Sequence, residues 1–134
     1  MNIDGGCHCG LIRCEACIDP DAVAVCHCTD CQMLSGTALR FVVPAPAAGF
    51  RLTAGQPQTY VKTAESGKRR VQAFRPECGT PIYATSPTDR TSYSLLVGTI
   101  RQRAELAPRV QNWMRSAQPW VSGIGVIRQN FLQA

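Results

Sequence analysis

Three cysteines spaced C-x-C-x-x-C, in Cys26-His27-Cys28-Thr29-Asp30-Cys31, are the residues best suited to do chemistry in this chain. In an extended segment, residues two apart share a face, so Cys26 and Cys28 project together while His27 points the other way. A turn after Cys28 then brings Cys31 to a third corner of a tetrahedron. Thiolate sulfur at about 2.3 Å suits zinc, and three protein ligands with an open fourth position mark a catalytic rather than a structural ion. The competing reading is of free cysteines used as small core hydrophobes. Three of them within six residues favours the metal.

The same spacing occurs earlier, in Gly5-Gly6-Cys7-His8-Cys9-Gly10, where flanking glycines let the backbone bend tightly around an ion. A distant segment must close this second site, and Cys78-Gly79 is the candidate. Seven of the eight cysteines lie between Cys7 and Cys31, and pairs two residues apart do not readily bridge each other. The N-terminus, Met1-Asn2-Ile3-Asp4-Gly5-Gly6, lacks the basic and apolar regions of an export signal. A reducing, cytoplasmic location and metal ligation therefore account for the cysteines better than disulfides do. No apolar run approaches the roughly 18 residues of a membrane span, so no membrane partner is expected.

These cysteines need a scaffold, and the 134 residues, 45% of them hydrophobic, suffice for one domain (1–134) with a core of its own. Short alternating segments separated by turn residues point to an antiparallel, mainly β system. Expected strands are Leu11–Ala16, Ala22–Val25, Thr37–Val43, Phe50–Thr53, Gln58–Lys62, Arg70–Phe74, Pro81–Ala84 and Tyr93–Val97, with a late one at Arg109–Trp113. Pro44 and Pro46 should stop the third of these. Residues Asp30 to Ser35, ended by Gly36, read as one or two helical turns carrying Cys31 away from its strand. Ser116–Trp120 reads as an irregular loop.

Charge is uneven along the chain. Residues 1–60 hold Arg13, Arg40 and Arg51 against five acids, whereas residues 61–134 hold eleven Lys and Arg against four. That surplus favours an anionic partner, with Lys68, Arg69, Arg70, Arg75 and Arg115 as candidate contacts. The aromatics are few and are not interleaved with the basic residues, which disfavours nucleic acid; a small carboxylate-bearing molecule is equally served, and a bare solvated basic face is the commonest outcome of such a bias.

Taken together, the two cysteine motifs, Ser35-Gly36, Pro76-Glu77-Cys78-Gly79-Thr80-Pro81, Trp113 and Pro119-Trp120 resemble the glutathione-dependent formaldehyde-activating enzyme family, the CENP-V/GFA domain, from about residue 3 to residue 121. The resemblance implies a β-tent, Mss4-like fold of several small antiparallel sheets with short helical turns and two zinc ions. It assigns Cys26, Cys28 and Cys31 to a catalytic zinc and Cys7, Cys9 and Cys78 to a structural zinc. It implies a carbon-sulfur lyase that joins a thiol, glutathione first among them, to formaldehyde, and it puts Ser35 and Gly36 in the pocket. One ligand fails to carry over: the family's F-C-P-x-C-G is here Phe74-Arg75-Pro76-Glu77-Cys78-Gly79. Arginine remains protonated in proteins and does not ligate zinc. Cys14, Cys17 or water could take the empty corner, or the ion could be lost.

Around the motifs, His27 and His8 alternate out of phase with their cysteines and are expected to be structural rather than acid-base groups. Asp30 is expected to cap the helical turn through backbone N–H groups. Of Trp113 and Trp120, one is expected in the core and the other in the pocket wall. Two further functions remain in play. A zinc protein of the same fold can act on another small substrate, and a non-enzymatic module can bind through the basic half.

Overall fold

The computed structural model describes residues 1–132. Its elements run β1 (Asn2–Gly6), β2 (Arg13–Cys17), β3 (Ala24–Cys26), α1 (Thr29–Ser35), β4 (Arg40–Pro46), β5 (Phe50–Ala54), β6 (Gln58–Thr63), β7 (Arg69–Phe74), β8 (Pro81–Thr85), β9 (Ser92–Leu96) and β10 (Val110–Asn112), with short 3-10 turns between. The protein is thus mainly β, as its short alternating segments require. Three strands form a small sheet in the order β1-β2-β5, and seven form a larger one in the order β10-β3-β4-β9-β8-β7-β6. All pairs are antiparallel except β10 with β3, which run parallel. Burial alternates along β2, where Cys14 and Ala16 face inward, and the inner faces of the two sheets share a core that includes Ile3, Ile12, Val43, Ile82, Leu95 and Ile100. Phe50 of the small sheet packs against Tyr83 and Tyr93 of the large one, with ring centroids 5.5 and 4.5 Å away. Edge-on and tilted aromatic contacts of this kind add to simple area burial.

Two expectations are corrected here. Pro44 and Pro46 do not stop the third expected strand: β4 runs through both, with Pro44 opposite Ser94 and Pro46 opposite Ser92. The reason lies on its other side, where pairing with β3 ends at Val42, so the ring nitrogens fall on an edge that needs no donor. Gly5-Gly6 belongs to a strand, β1, rather than only to a turn. A Cβ on Gly6 would lie 2.1 Å from the Ile12 carbonyl oxygen, so glycine is required where the chain folds back beside Cys7.

Candidate metal centres

The first centre forms where β3 hands over to α1. Cys26 ends the strand, Cys28 occupies the N-cap position, and Cys31 lies in the first turn of the seven-residue helix. Helix geometry turns the chain after Cys28, and the three Sγ atoms lie within 4.8 Å of one another. The Cys28 sulfur accepts the backbone N–H of Cys31 at 3.3 Å, so a cysteine side chain, rather than the expected Asp30, caps the helix. Asp30 instead accepts from Lys62 Nζ at 2.8 Å, tying α1 to β6. Gly36 ends the helix in the left-handed region with φ 67°, as its position after Ser35 leads one to expect.

Without an ion, the centre shares protons unequally. A hydrogen bond from the Cys31 thiol holds Cys26 down, to about 5, with the backbone N–H of Cys28 and the charge of Arg40 in support. The same hydrogen bond, together with burial, pushes Cys31 up. A cation that replaces the shared proton relieves this conflict. The donor set consists of soft sulfur, which fits zinc.

His27 points away from its cysteine neighbours, as strand alternation predicts, and is fully buried. Its Nε2 sits 2.9 Å from Gln111 Oε1 and its backbone N–H donates to the Asn112 carbonyl at 3.0 Å, so it fastens β3 to β10. Gln32 has the complementary role, one that its sequence context did not reveal. Its Nε2 donates to the carbonyls of His27 at 2.8 Å and Ser116 at 2.9 Å, while its Oε1 accepts from Gln118 Nε2 at 2.9 Å. These bonds hold the loop after β10 over the first centre.

That loop forms the wall of an open groove of about 900 Å³, lined by Cys26, Glu65, Asn112, Trp113, Met114 and Arg115. Trp113 is left-handed at φ 59°, a conformation that is strained for a bulky residue and is tolerated where the surroundings impose it. Arg115 lies over its ring, 4.9 Å from the centroid, and pairs with Glu65 at 2.5 Å. Both tryptophans are surface wall: Trp113 is 47% exposed, and Trp120, lining a second groove, is 58% exposed. The expectation that one would lie in the core is overturned by their position on the late, loop-rich segment, where no second layer covers them.

The second centre lies at the β1–β2 turn. Cys7, Cys9 and Cys78 bring their Sγ atoms within 4.8 Å, although Cys78 is about seventy residues away in sequence. Cys7 is buried and accepts the Ile12 N–H at 3.2 Å. Cys78 lies 3.2 Å from the Thr80 hydroxyl, whose hydrogen bond holds its thiol down at about 6, assisted by the backbone N–H of Cys9. Neither Cys14 nor Cys17 joins this group. Cys14 is buried in β2, where burial pushes its thiol up, and Cys17 is exposed at the end of that strand. Arg75, in the position where the resemblance calls for a cysteine, turns its Nη1 to Glu77 at 3.0 Å and leaves its Nε buried without a partner. His8 is exposed, with its backbone N–H donating to Thr80 Oγ1 at 3.1 Å. His8, Ser35 and Cys78 line the second groove, of about 850 Å³.

A family model described as glutathione-dependent formaldehyde-activating enzyme matches residues 2–116. No curated protein matches the sequence. A crystal structure of a Rhodobacter sphaeroides protein has the same fold, with a TM-score of 0.62 at 16% identity over 81% of this chain and 98% of that one. Among the described residues, no helix is long and apolar enough to cross a membrane.

Proposed function

Because the chain belongs to the glutathione-dependent formaldehyde-activating enzyme family, we propose that it is a zinc-dependent carbon-sulfur lyase that joins a thiol such as glutathione to formaldehyde or another small aldehyde. The observation that carries this reading is the convergence of Cys26, Cys28 and Cys31 into one sulfur cluster whose Cys26 lines a groove large enough for a tripeptide thiol. In the reaction, sulfur forms a bond to the carbonyl carbon, the carbon-oxygen π pair moves to oxygen, and the thiol proton ends on that oxygen as the adduct's hydroxyl. A zinc ion bound there supplies a Lewis acid with an exchangeable position, favouring thiolate over thiol and polarising a carbonyl.

The rest falls to this chain's own residues. Cys26, Cys28 and Cys31 would hold the ion, and the Cys31 thiol, the Cys28 N–H and the Arg40 charge favour the thiolate form of Cys26. His27 and Gln32 hold β10 and the loop after it, which carry the Asn112–Arg115 wall of the groove, so substrates meet a preformed geometry. Trp113 and Met114 provide an apolar wall, and the Arg115–Glu65 pair sits at the rim. Cys7, Cys9 and Cys78 would hold a structural ion, to which Arg75 offers no ligand. We place the protein in the cytoplasm, where its eight free cysteines stay reduced.

Exchange NMR of glutathione with formaldehyde measures adduct formation directly. Zinc-loaded protein should accelerate exchange in proportion to its concentration, and Cys28→Ser should not. No acceleration across several thiols would rule the reading out.

A further inference from the structure

Among the described residues, Arg40 is the buried arginine that no carboxylate faces, its charge acting instead on the Cys26 sulfur of the neighbouring strand. It opens β4, directly opposite Cys26 of β3, and is 6% exposed. Its Nη1 donates to Gln72 Oε1 at 3.0 Å, whereas its Nε is buried with no acceptor. The ion pairs among the described residues involve Arg51, Lys62, Arg75, Arg101, Arg109 and Arg115, and none involves Arg40. A guanidinium stays charged in proteins, and burying a charge without a partner is costly. Gln72, on β7, lies three strands away in the sheet order, which in a flat sheet is about 14 Å. Their contact therefore requires the large sheet to curl and enclose the guanidinium.

The enclosed space is suited to a ligand. Arg40 lines two cavities at once: one of about 360 Å³ with Leu34, Tyr60, Gln72, Phe74 and Pro81, and the 850 Å³ groove walled by Leu39, Phe41, Trp120 and Ile124. No Asp or Glu lines either one. Because arginine only donates, Gln72 must turn Oε1 toward it, which leaves the Gln72 amide NH₂ as a second donor beside the guanidinium. A planar fork with an adjacent amide donor in an apolar chamber matches a carboxylate attached to a small apolar body. We propose that Arg40 and Gln72 form a binding site for a small organic carboxylate. This assignment does not depend on thiol addition, and the basic residues singled out along the sequence play no part in it, since none of Lys68, Arg69, Arg70, Arg75 and Arg115 lines either cavity.

The test uses zinc-loaded full-length protein, with butyrate as the probe and butyramide and inorganic phosphate as comparisons. In ¹⁵N–¹H spectra, the arginine Nε–H resonance that disappears in Arg40→Lys identifies the group. Butyrate should shift this resonance saturably, and butyramide should not move it. Phosphate should bind at least about ten-fold more weakly than butyrate, since the apolar chamber offers it nothing beyond charge. Butyrate should raise the Tm of the unmodified protein, and Arg40→Met should abolish that rise. A resonance that butyrate leaves unmoved, or that butyramide shifts equally, would overturn the proposal. Equal binding of phosphate would overturn the carboxylate assignment. Retention of the butyrate-induced Tm rise in Arg40→Met would exclude Arg40 as its cause.

Discussion

The two three-cysteine centres share a Cys-x-Cys start but differ in what surrounds it. A groove borders each, through Cys26 and through Cys78, but in the first all three sulfurs come from one six-residue stretch whose spacing the capping geometry of α1 sets. In the second, two sulfurs come from a glycine-bounded turn and the third from a loop about seventy residues on, so the site depends on how the sheets pack. A locally built cluster can leave a coordination position open and still hold its shape. A cluster that joins distant segments gains from a fourth ligand, and this chain has arginine there. The difference suggests that one centre is arranged for exchange and the other for cross-linking, with the second working below its full strength.

The largest expected contrast comes from removing one ligand from each centre. Cys28→Ser should release the first zinc and abolish activity while leaving the helix in place, since serine is itself a good N-cap residue. Cys78→Ser should instead lower Tm while leaving the activity per folded molecule near that of the unmodified protein. Metal analysis beside exchange NMR checks both, and loss of activity in Cys78→Ser at full folding would erase the distinction. Next in size is Arg75→Cys, which completes four thiolates. It should raise zinc affinity at the second centre and raise Tm by roughly 3 °C for each kcal/mol of added binding. Unchanged zinc content and Tm would mean the second centre is already complete.

Acid should also separate the centres. In metal-free protein, Cys78 and Cys26 are thiolates above about 6 and about 5 respectively. Both values lie below the ordinary thiol range, so these thiolates favour the folded state from the unfolded thiol pKa upward, and this contribution is lost as pH falls through the folded values. Thiolate ultraviolet absorbance should therefore fall first for Cys78 and then for Cys26, with Cys78→Ser deleting the earlier step. The smallest effect expected is from Gln32→Leu, which removes three hydrogen bonds that hold the groove wall. It should cost about 1–3 kcal/mol and raise KM more than it lowers kcat, because the ligands stay in place.

The cysteine sets were legible in the sequence because ligand spacing is a local property, and the helical turn from Asp30 to Gly36 was legible for the same reason. Cys78 was the candidate to join Cys7 and Cys9 as the lone cysteine beyond residue 31, a reading the resemblance supported, since no short-range rule links segments so far apart. The features that sequence reading missed all depend on tertiary packing. Pro44 and Pro46 fit within β4 only because β3 stops at Val42. The tryptophans lack a covering layer, and β10 joins the sheet in parallel beside β3. Arg40 looked like one basic residue among fourteen until the curl of the sheet enclosed it.

Substituting cobalt(II) for zinc gives the first centre an optical signal that reports its ligands. Glutathione added to the cobalt protein should change the d–d bands and increase the thiolate-to-cobalt charge-transfer absorbance saturably. The change should persist in Cys78→Ser and be absent in Cys28→Ser. Bands indifferent to glutathione in the unmodified protein, or a response lost in Cys78→Ser but kept in Cys28→Ser, would contradict an exchangeable metal position at Cys26, Cys28 and Cys31.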